Sequence, residues 1–503
     1  MTSMRLSRAH AVAAVLAAAL LLRAFRLGDW PLWLDESWSR WISGQDWEGL
    51  SDSATQLDTH PPFYYALLKL WRELAPSTNW GLRLPSLAAG LATVCATYWC
   101  ACAIPRLKRT PWAAAFALAL AALSPALIVA SRQARPYALF ALAFAAALWA
   151  ALSLLRADDK DRPRYALWLA YLVALECTLW LHSLGPIFGA ALAGGLFAAF
   201  AAEGSLRRHF RPFAAVHALA ALAYLPCMAI ILEQRRNWTT SWLRFSPFDV
   251  PDGLATGLAA PGFGALLIVA LAALGARAML RDAAERPAGV VLVAAAVGPA
   301  VAMLIVSIVS SPIFLPRTLV PSVAPLLLLA AAGLFAVRSE KLRPKLALAC
   351  LALFAFVSSV SVVRPPEEQW DRLPAWLGSR MEPGEEIWLL PNELVLPLGY
   401  AGGAEGRAVL GVPAPFPAPT FSGPRPSGTR AVPGLTGEAS AALVAAARKR
   451  GVRGVWLVSR MPLLFDPGST LKRALGPQSL KSQETAFDPI IVEHFILRPA
   501  PAD

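Results

Sequence analysis

Apolar residues recur in runs of membrane-spanning length from residue 9 to residue 363. The runs fall at approximately 9–25, 84–104, 112–130, 137–155, 165–182, 185–202, 213–232, 263–280, 288–310, 318–337 and 345–363. A helix needs about 20 such residues to cross a bilayer, so the pattern predicts eleven membrane helices. The first run follows Arg5 and Arg8 and could be a cleavable signal peptide. It has no clear small-residue cleavage site, so it is expected to persist as a helix.

Two stretches break this pattern. Between residues 26 and 83, apolar positions return at helical spacing within polar surroundings: Leu34, Trp38, Trp41 and Ile42, then Phe63, Leu67, Leu70, Trp71 and Leu74. Such stripes suit two short helices lying at a membrane surface, the second started by Pro61 and Pro62. After residue 363 no span remains. "EEIWLL" (385–390), "GVWLVS" (454–459) and "IIVEHFIL" (490–497) predict strands. "ASAALVAAARKRG" (439–451) predicts a helix closed by Gly451, and a Pro/Gly-rich loop is expected at about 402–436. The expected organisation is a membrane domain over 1–363, including the loop 26–83, and a small soluble α/β domain over 364–503. That domain carries no catalytic motif and reads as a structural or acceptor-docking cap.

Composition agrees with a membrane protein. Of 503 residues, 56% are hydrophobic and 16% charged, where a soluble domain carries about a quarter charged. The net charge of +13 suggests nucleic acid until its distribution is considered. One set of short connections holds 19 Lys and Arg, whereas the opposite short connections hold 6. This asymmetry predicts a cytoplasmic N-terminus, with 26–83 and 364–503 on the outer face of a plasma (inner) membrane, and no nucleic-acid partner. All six cysteines fall in predicted spans, so no disulfide framework is expected.

The candidate chemistry lies on the predicted outer side. In "PLWLDESWSR" (31–40), Asp35 and Glu36 stand between tryptophans. Asp35 could cap the first surface helix or act as a general base; the residues alone leave both open. In "DTHPPFYY", Asp58 and His60 flank Thr59 and would form only a partial metal site, the alternative being a capped helix with a solvated histidine. "SRQARPYAL" places Arg132, Arg135 and Tyr137 where the charge pattern otherwise avoids arginine. Arginines here either snorkel to lipid headgroups or grip a phosphate. Arg317, in "PIFLPRTLVPSVAP", poses the same choice, and His182 ends a span in "LHSLGP". "EQRRNWTTSW" (233–242) could line a sugar or lipid-phosphate entrance or serve as an aromatic belt. No phosphate-cradling P-loop and no dinucleotide fingerprint occur.

In this order, the acidic pair, "HPPFYYALLKLW", "SRQARPYAL", the span ending in His182 and the late Arg–Pro-rich span resemble the GT-C membrane glycosyltransferases. The resemblance is to the protein-mannosyltransferase-like and aminoarabinose-transferase-like group. It implies inverting transfer of a sugar from a polyprenyl-phosphate donor to a lipid, glycan or protein acceptor. It also implies that Asp35 is the catalytic carboxylate, with Glu36 as its neighbour, and that Arg135 lies in the donor-phosphate segment, with Arg132 and Arg317 as further candidates. His60 and Thr59 stand where aminoarabinose transferases have Lys and Glu, which argues against that sugar and leaves the role of His60 open. No cofactor is required for such a donor, although a divalent metal could assist. The rival expectations are a flippase for a lipid-linked sugar, a polysaccharide polymerase or ligase, and a non-enzymatic scaffold.

Overall fold

The computed structural model describes the chain apart from residues 1, 111, 157–163, 238–244, 261–262, 365–367, 418–434, 488 and 500–503. It is a polytopic α-helical membrane protein with a small C-terminal α/β domain. Among the described residues, eight helices are long and apolar enough to cross a membrane. A ninth candidate is a pair, Ala113–Leu123 and Pro125–Ser131, bent by 54°. Ala9–Ala24 and Tyr165–Leu181 are apolar but shorter. Each of the eleven predicted segments contains a helix, while length and composition alone qualify eight or nine as spans.

The described residues fall into two compact units. One comprises 1–27 and most of the chain from His60 to Arg364. Its helices pack through small residues, as membrane helices do when backbones approach closely. A Cβ on Gly275 or Gly333 would meet backbone of the facing helix, so Phe263–Arg281 and Val323–Leu334 can touch as they do only with glycine at both positions. The bend at Ser124 and Pro125 breaks a helical ladder inside this unit and leaves carbonyls without helical partners. Arg23 fills that need. Fully buried, it donates to the carbonyls of Ala122 (2.9 Å), Ala121 (3.3 Å) and Ala19 (3.1 Å) and to Ser131 Oγ (3.2 Å).

The other unit comprises 28–59 together with the described residues of 232–242 and those from Glu368 onward. Its sheet has five strands: β1 Glu385–Leu390, β2 Ala408–Gly411, β3 Gly454–Arg460, β4 Ser479–Phe487 and β5 Ile490–Leu497. The order is β2-β1-β3-β5-β4. β1 pairs in parallel with β2 and β3, whereas β5 is antiparallel to both β3 and β4. The central strands are the three apolar runs, buried almost throughout. The predicted helix spans Gly437–Lys449, and Gly451 has a φ of +79°, the left-handed closure that glycine tolerates.

The loop 28–59 belongs to this second unit. It holds the helix Leu34–Ile42 and a further helix, Trp47–Leu57, whose start is capped by Asp46 Oδ1 on the Gly49 N–H at 2.7 Å. Gln234 ties the latter down by donating to the Ala54 carbonyl at 2.9 Å. Leu34 packs in one apolar cluster with Trp370, Leu373, Ile387, Leu389 and Val458 of the α/β domain. The helix Phe63–Arg72 lies in the first unit and buries Tyr64, Tyr65 and Leu68. Its predicted apolar stripe is the open side, with Leu70 and Leu74 exposed.

Candidate active site

Arg135 sits between the short helix Pro125–Ser131 and the long helix Tyr137–Leu155, and only 3% of it is exposed. A guanidinium this deeply buried needs acceptors or aromatic faces. Its Nη2 lies 3.4 Å from both ring nitrogens of His60, and its Nη1 donates to the Tyr65 hydroxyl at 3.4 Å. These contacts are long for a charged donor, which ordinarily reaches about 2.7–2.9 Å with an anionic oxygen. His60 and Tyr65 stand at the start of the Phe63–Arg72 helix, where "HPPFYY" turns both rings into the unit.

The His60 ring meets the His182 ring edge-on at 4.9 Å. His182 ends the helix Tyr165–Leu181 in extended backbone, and its Nδ1 accepts the Leu184 N–H at 3.1 Å. Phe140 stacks on His182 at 5.2 Å, and Tyr137 lies 5.8 Å away. The Arg317 guanidinium is 5.9 Å from the centre of the Tyr137 ring, at the outer limit of a cation–π contact. Arg135, His60, His182, Tyr137 and Arg317 therefore form one cationic, aromatic-walled cluster. Tyr65 and Phe140 complete it. Both lie in quoted motifs, but only the fold shows which aromatic residue faces inward.

Arg132 has different partners. Its Nη1 donates to the carbonyls of Phe25 (2.7 Å), Arg23 (3.0 Å) and Leu22 (3.2 Å). These are the last carbonyls of the first helix, so Arg132 closes a helix C-terminus, where a cation is favoured. It does not join the Arg135 cluster.

Asp35 and Glu36 lie in the second unit, in the first turn of Leu34–Ile42. Asp35 is half-buried and Glu36 is 1% exposed. The capping alternative for Asp35 is not realised: Trp33 occupies the N-cap position and its side chain does not cap the helix. The Leu34 N–H goes instead to Glu368 Oε2 at 2.9 Å. Trp38 Nε1 donates to Glu393 Oε2 at 2.8 Å. Burial pushes the Glu393 carboxyl up to about 7; the Trp38 bond and Arg460 act against this, while the charges of Asp35 and Glu368 add to it.

Asp58 closes the helix Trp47–Leu57 and accepts the Thr59 N–H at 2.6 Å. His60 is directed at the Arg135 guanidinium, with both ring nitrogens 3.4 Å from Nη2. Among the described residues, no group of three or more His, Cys, Asp or Glu could hold a metal ion. Arg235 and Arg236 occupy the last turn of the helix Leu206–Asn237. Trp238 and Trp242 lie outside the described residues.

Sequence reasoning missed Arg23, Glu368 and Glu393. Arg23 had a detectable signal, a charge inside an apolar run followed by "SP" at 124–125. The two glutamates had none, because their partner helix is more than 300 residues away.

No family model matches the sequence, and no curated protein matches it. Its fold, however, is similar to solved structures. The apo structure of ArnT from Cupriavidus metallidurans aligns over 97% of this chain and 98% of its own, with a TM-score of 0.63 at 16% identity. ArnT bound to undecaprenyl phosphate aligns over 96% and 97%, with a TM-score of 0.57 at 15% identity. The Archaeoglobus fulgidus oligosaccharyltransferase AglB, in complex with an inhibitory peptide and a dolichol-phosphate, aligns over 92% of this chain and 70% of its own. Its TM-score is 0.54 at 13% identity. The chain shares the fold of ArnT and of AglB over most of its length.

Proposed function

We propose that this protein is an inverting glycosyltransferase that moves a sugar from a polyprenyl-phosphate donor to a lipid, glycan or protein acceptor. The observation that carries this reading is the cluster in which buried Arg135, His60, Tyr65 and Tyr137 converge with Arg317, in a chain with the fold of ArnT. A phosphate oxygen is a stronger partner for a guanidinium than an imidazole or a phenol, so an arriving phosphate gains paired, charge-assisted bonds. Undecaprenyl phosphate in the ArnT structure and dolichol-phosphate in the AglB structure support the same ligand chemistry.

The reaction breaks the bond between the anomeric carbon and the phosphate oxygen and forms one from that carbon to the acceptor oxygen on the opposite face. The bonding pair leaves with the phosphate, whose growing charge Arg135 stabilises, with Arg317 as the further cation in the cluster. The acceptor hydroxyl proton goes to Asp35, a half-buried carboxylate in the first turn of its helix. Arg132, already bonded to three carbonyls, serves structure. The basic asymmetry supports a cytoplasmic N-terminus and an external C-terminal domain. Reporter fusions after residues 107, 160, 208 and 341 then read cytoplasmic, and one at 503 reads external.

A transport reading draws on the bent helix pair and the buried Arg23 beside it. Those features satisfy one another, since Arg23 donates to the carbonyls at the break, so transfer is favoured. The test is a deletion strain. It should accumulate a sugar-loaded polyprenyl phosphate and lose one sugar from a surface lipid, glycan or glycoprotein. Unchanged lipid-linked sugars and unchanged surface glycans would contradict the assignment.

A further inference from the structure

A nine-residue helix without a cap of its own is marginal in water. Leu34–Ile42 is such a helix, and its backbone carries Asp35. What holds it comes from the far end of the chain. Glu368, whose side chain is 3% exposed, takes the Leu34 N–H on Oε2 at 2.9 Å. The same oxygen takes Trp370 Nε1–H at 2.7 Å, and Oε1 takes Arg460 Nε–H at 2.8 Å. The carboxylate is thus fixed on both oxygens by the α/β domain and presented to the helix N-terminus, where a negative charge is favoured.

Further along, Trp38 donates to Glu393 at 2.8 Å. Phe416 meets Trp38 and Trp41 edge-on at 5.3 and 4.9 Å. Arg40 lies 4.2 Å over the Tyr400 ring. Start, middle and end of the helix each have a separate anchor, so neither its axial position nor its rotation is left to the helix itself.

We propose that the C-terminal α/β domain is the positioning element for the Asp35 helix, with Glu368 supplying its N-cap from another part of the chain and Glu393 setting its rotation through Trp38. The inference rests on the reading of Asp35 as the proton acceptor. Glu368 and Glu393 are positioning residues that act through the helix. Asp35 follows the capped residue directly, so loss of the cap moves the carboxylate itself. A misplacement near 1 Å can cost about 10²-fold in rate.

The test uses the full-length protein in lipid nanodiscs, with hydrogen exchange and steady-state kinetics measured together. Glu368→Ala is expected to speed amide exchange across 34–42 about tenfold, as loss of a cap does, while exchange across Tyr137–Leu155 stays unchanged. It should lower kcat about 10²-fold and leave KM for the polyprenyl-phosphate donor unaltered. Glu368→Gln keeps an oxygen for the Leu34 N–H and should lose less than about tenfold in kcat.

Should Glu368→Ala also deprotect β3, the domain has loosened and Trp38→Phe decides. That variant keeps a smaller aromatic ring against Trp41 and Phe416 and removes the N–H to Glu393; it should speed exchange across 34–42 and lower kcat with donor KM unchanged. Unchanged exchange at 34–42, or faster exchange with wild-type kcat, would overturn the positioning role. A wild-type protein that transfers no sugar would instead sink the glycosyltransferase reading, and the exchange result would stand on its own.

Discussion

Arg132 and Arg135 are three residues apart in "SRQARPYAL", and the fold gives them opposite roles. Arg132 donates to three carbonyls at the end of the first helix, at 2.7–3.2 Å. Those acceptors are backbone and nothing soluble replaces them. Arg135 is more deeply buried, and its guanidinium lies 3.4 Å from the His60 imidazole and from the Tyr65 hydroxyl. Burying a guanidinium costs several kcal/mol unless strong acceptors compensate. The first arginine spends its guanidinium on backbone carbonyls of the fold; the second stands among ionisable and aromatic side chains, His60, Tyr65 and, around them, His182 and Tyr137. Partners, rather than position in a loop or a motif, separate a structural arginine from a binding one.

The largest effect that bears on this contrast is expected at Asp35, the other half of the proposed chemistry. With the capping alternative removed by Trp33 and Glu368, Asp35→Asn should keep the helix and lose the proton acceptor. Turnover should fall about 10²–10⁴-fold with donor binding retained. Transfer at close to the wild-type rate would redirect the search to Glu36 or Asp58.

The structural arginines should fail in another way. Arg23→Met removes four hydrogen bonds, two of them to the Ala121 and Ala122 carbonyls at the Ser124 break. A buried polar group that loses its partner costs about 1–3 kcal/mol, read as a lower unfolding temperature and poor yield. Arg132→Ala should cost about 1–3 kcal/mol of stability and leave donor affinity within about twofold. Donor affinity that fell in Arg132→Ala as it does in an Arg135 variant would erase the distinction between the two.

The smallest effect is a pH dependence. The folded pKa of Glu393, about 7, lies above the ordinary glutamate value. The folded state therefore binds the extra proton, and this stabilisation is complete below about pH 4.3, the unfolded value. It is lost as pH rises through 7. Thermal stability of the α/β-containing unit should decline between pH 5 and 8, and Glu393→Gln should flatten that decline. A slope unchanged by the substitution would assign it to another group.

Much of this was legible in the sequence because the membrane imposes a simple rule. Eleven apolar runs announce eleven helical segments, and the three buried strands announce themselves as apolar runs of their own. β2 and β4 escaped because both are sheet edges, where one side of the strand needs no apolar residues. The helix Trp47–Leu57 escaped because it has only Leu50, Ser53 and Ala54 inward, too weak a stripe to register. Arg135, His60 and His182 were each readable as motif residues, but their convergence was not, since three separate connections bring them together. The cap on the Asp35 helix was invisible because a carboxylate in "EEQWDR" has no local mark of a partner at Leu34.

The central claim is that the Arg135 cluster binds the donor phosphate, and direct binding tests it without knowledge of the sugar. Undecaprenyl phosphate is titrated into purified wild-type protein, Arg135→Lys, Arg135→Ala and Arg132→Ala. Wild type and Arg132→Ala should bind alike, Arg135→Lys more weakly for want of paired geometry, and Arg135→Ala about 10–100-fold more weakly, as befits a lost charge-assisted bond of about 1.5–3 kcal/mol. Equal binding by wild type and folded Arg135→Ala would contradict the account and leave Arg135 a structural arginine like its neighbour.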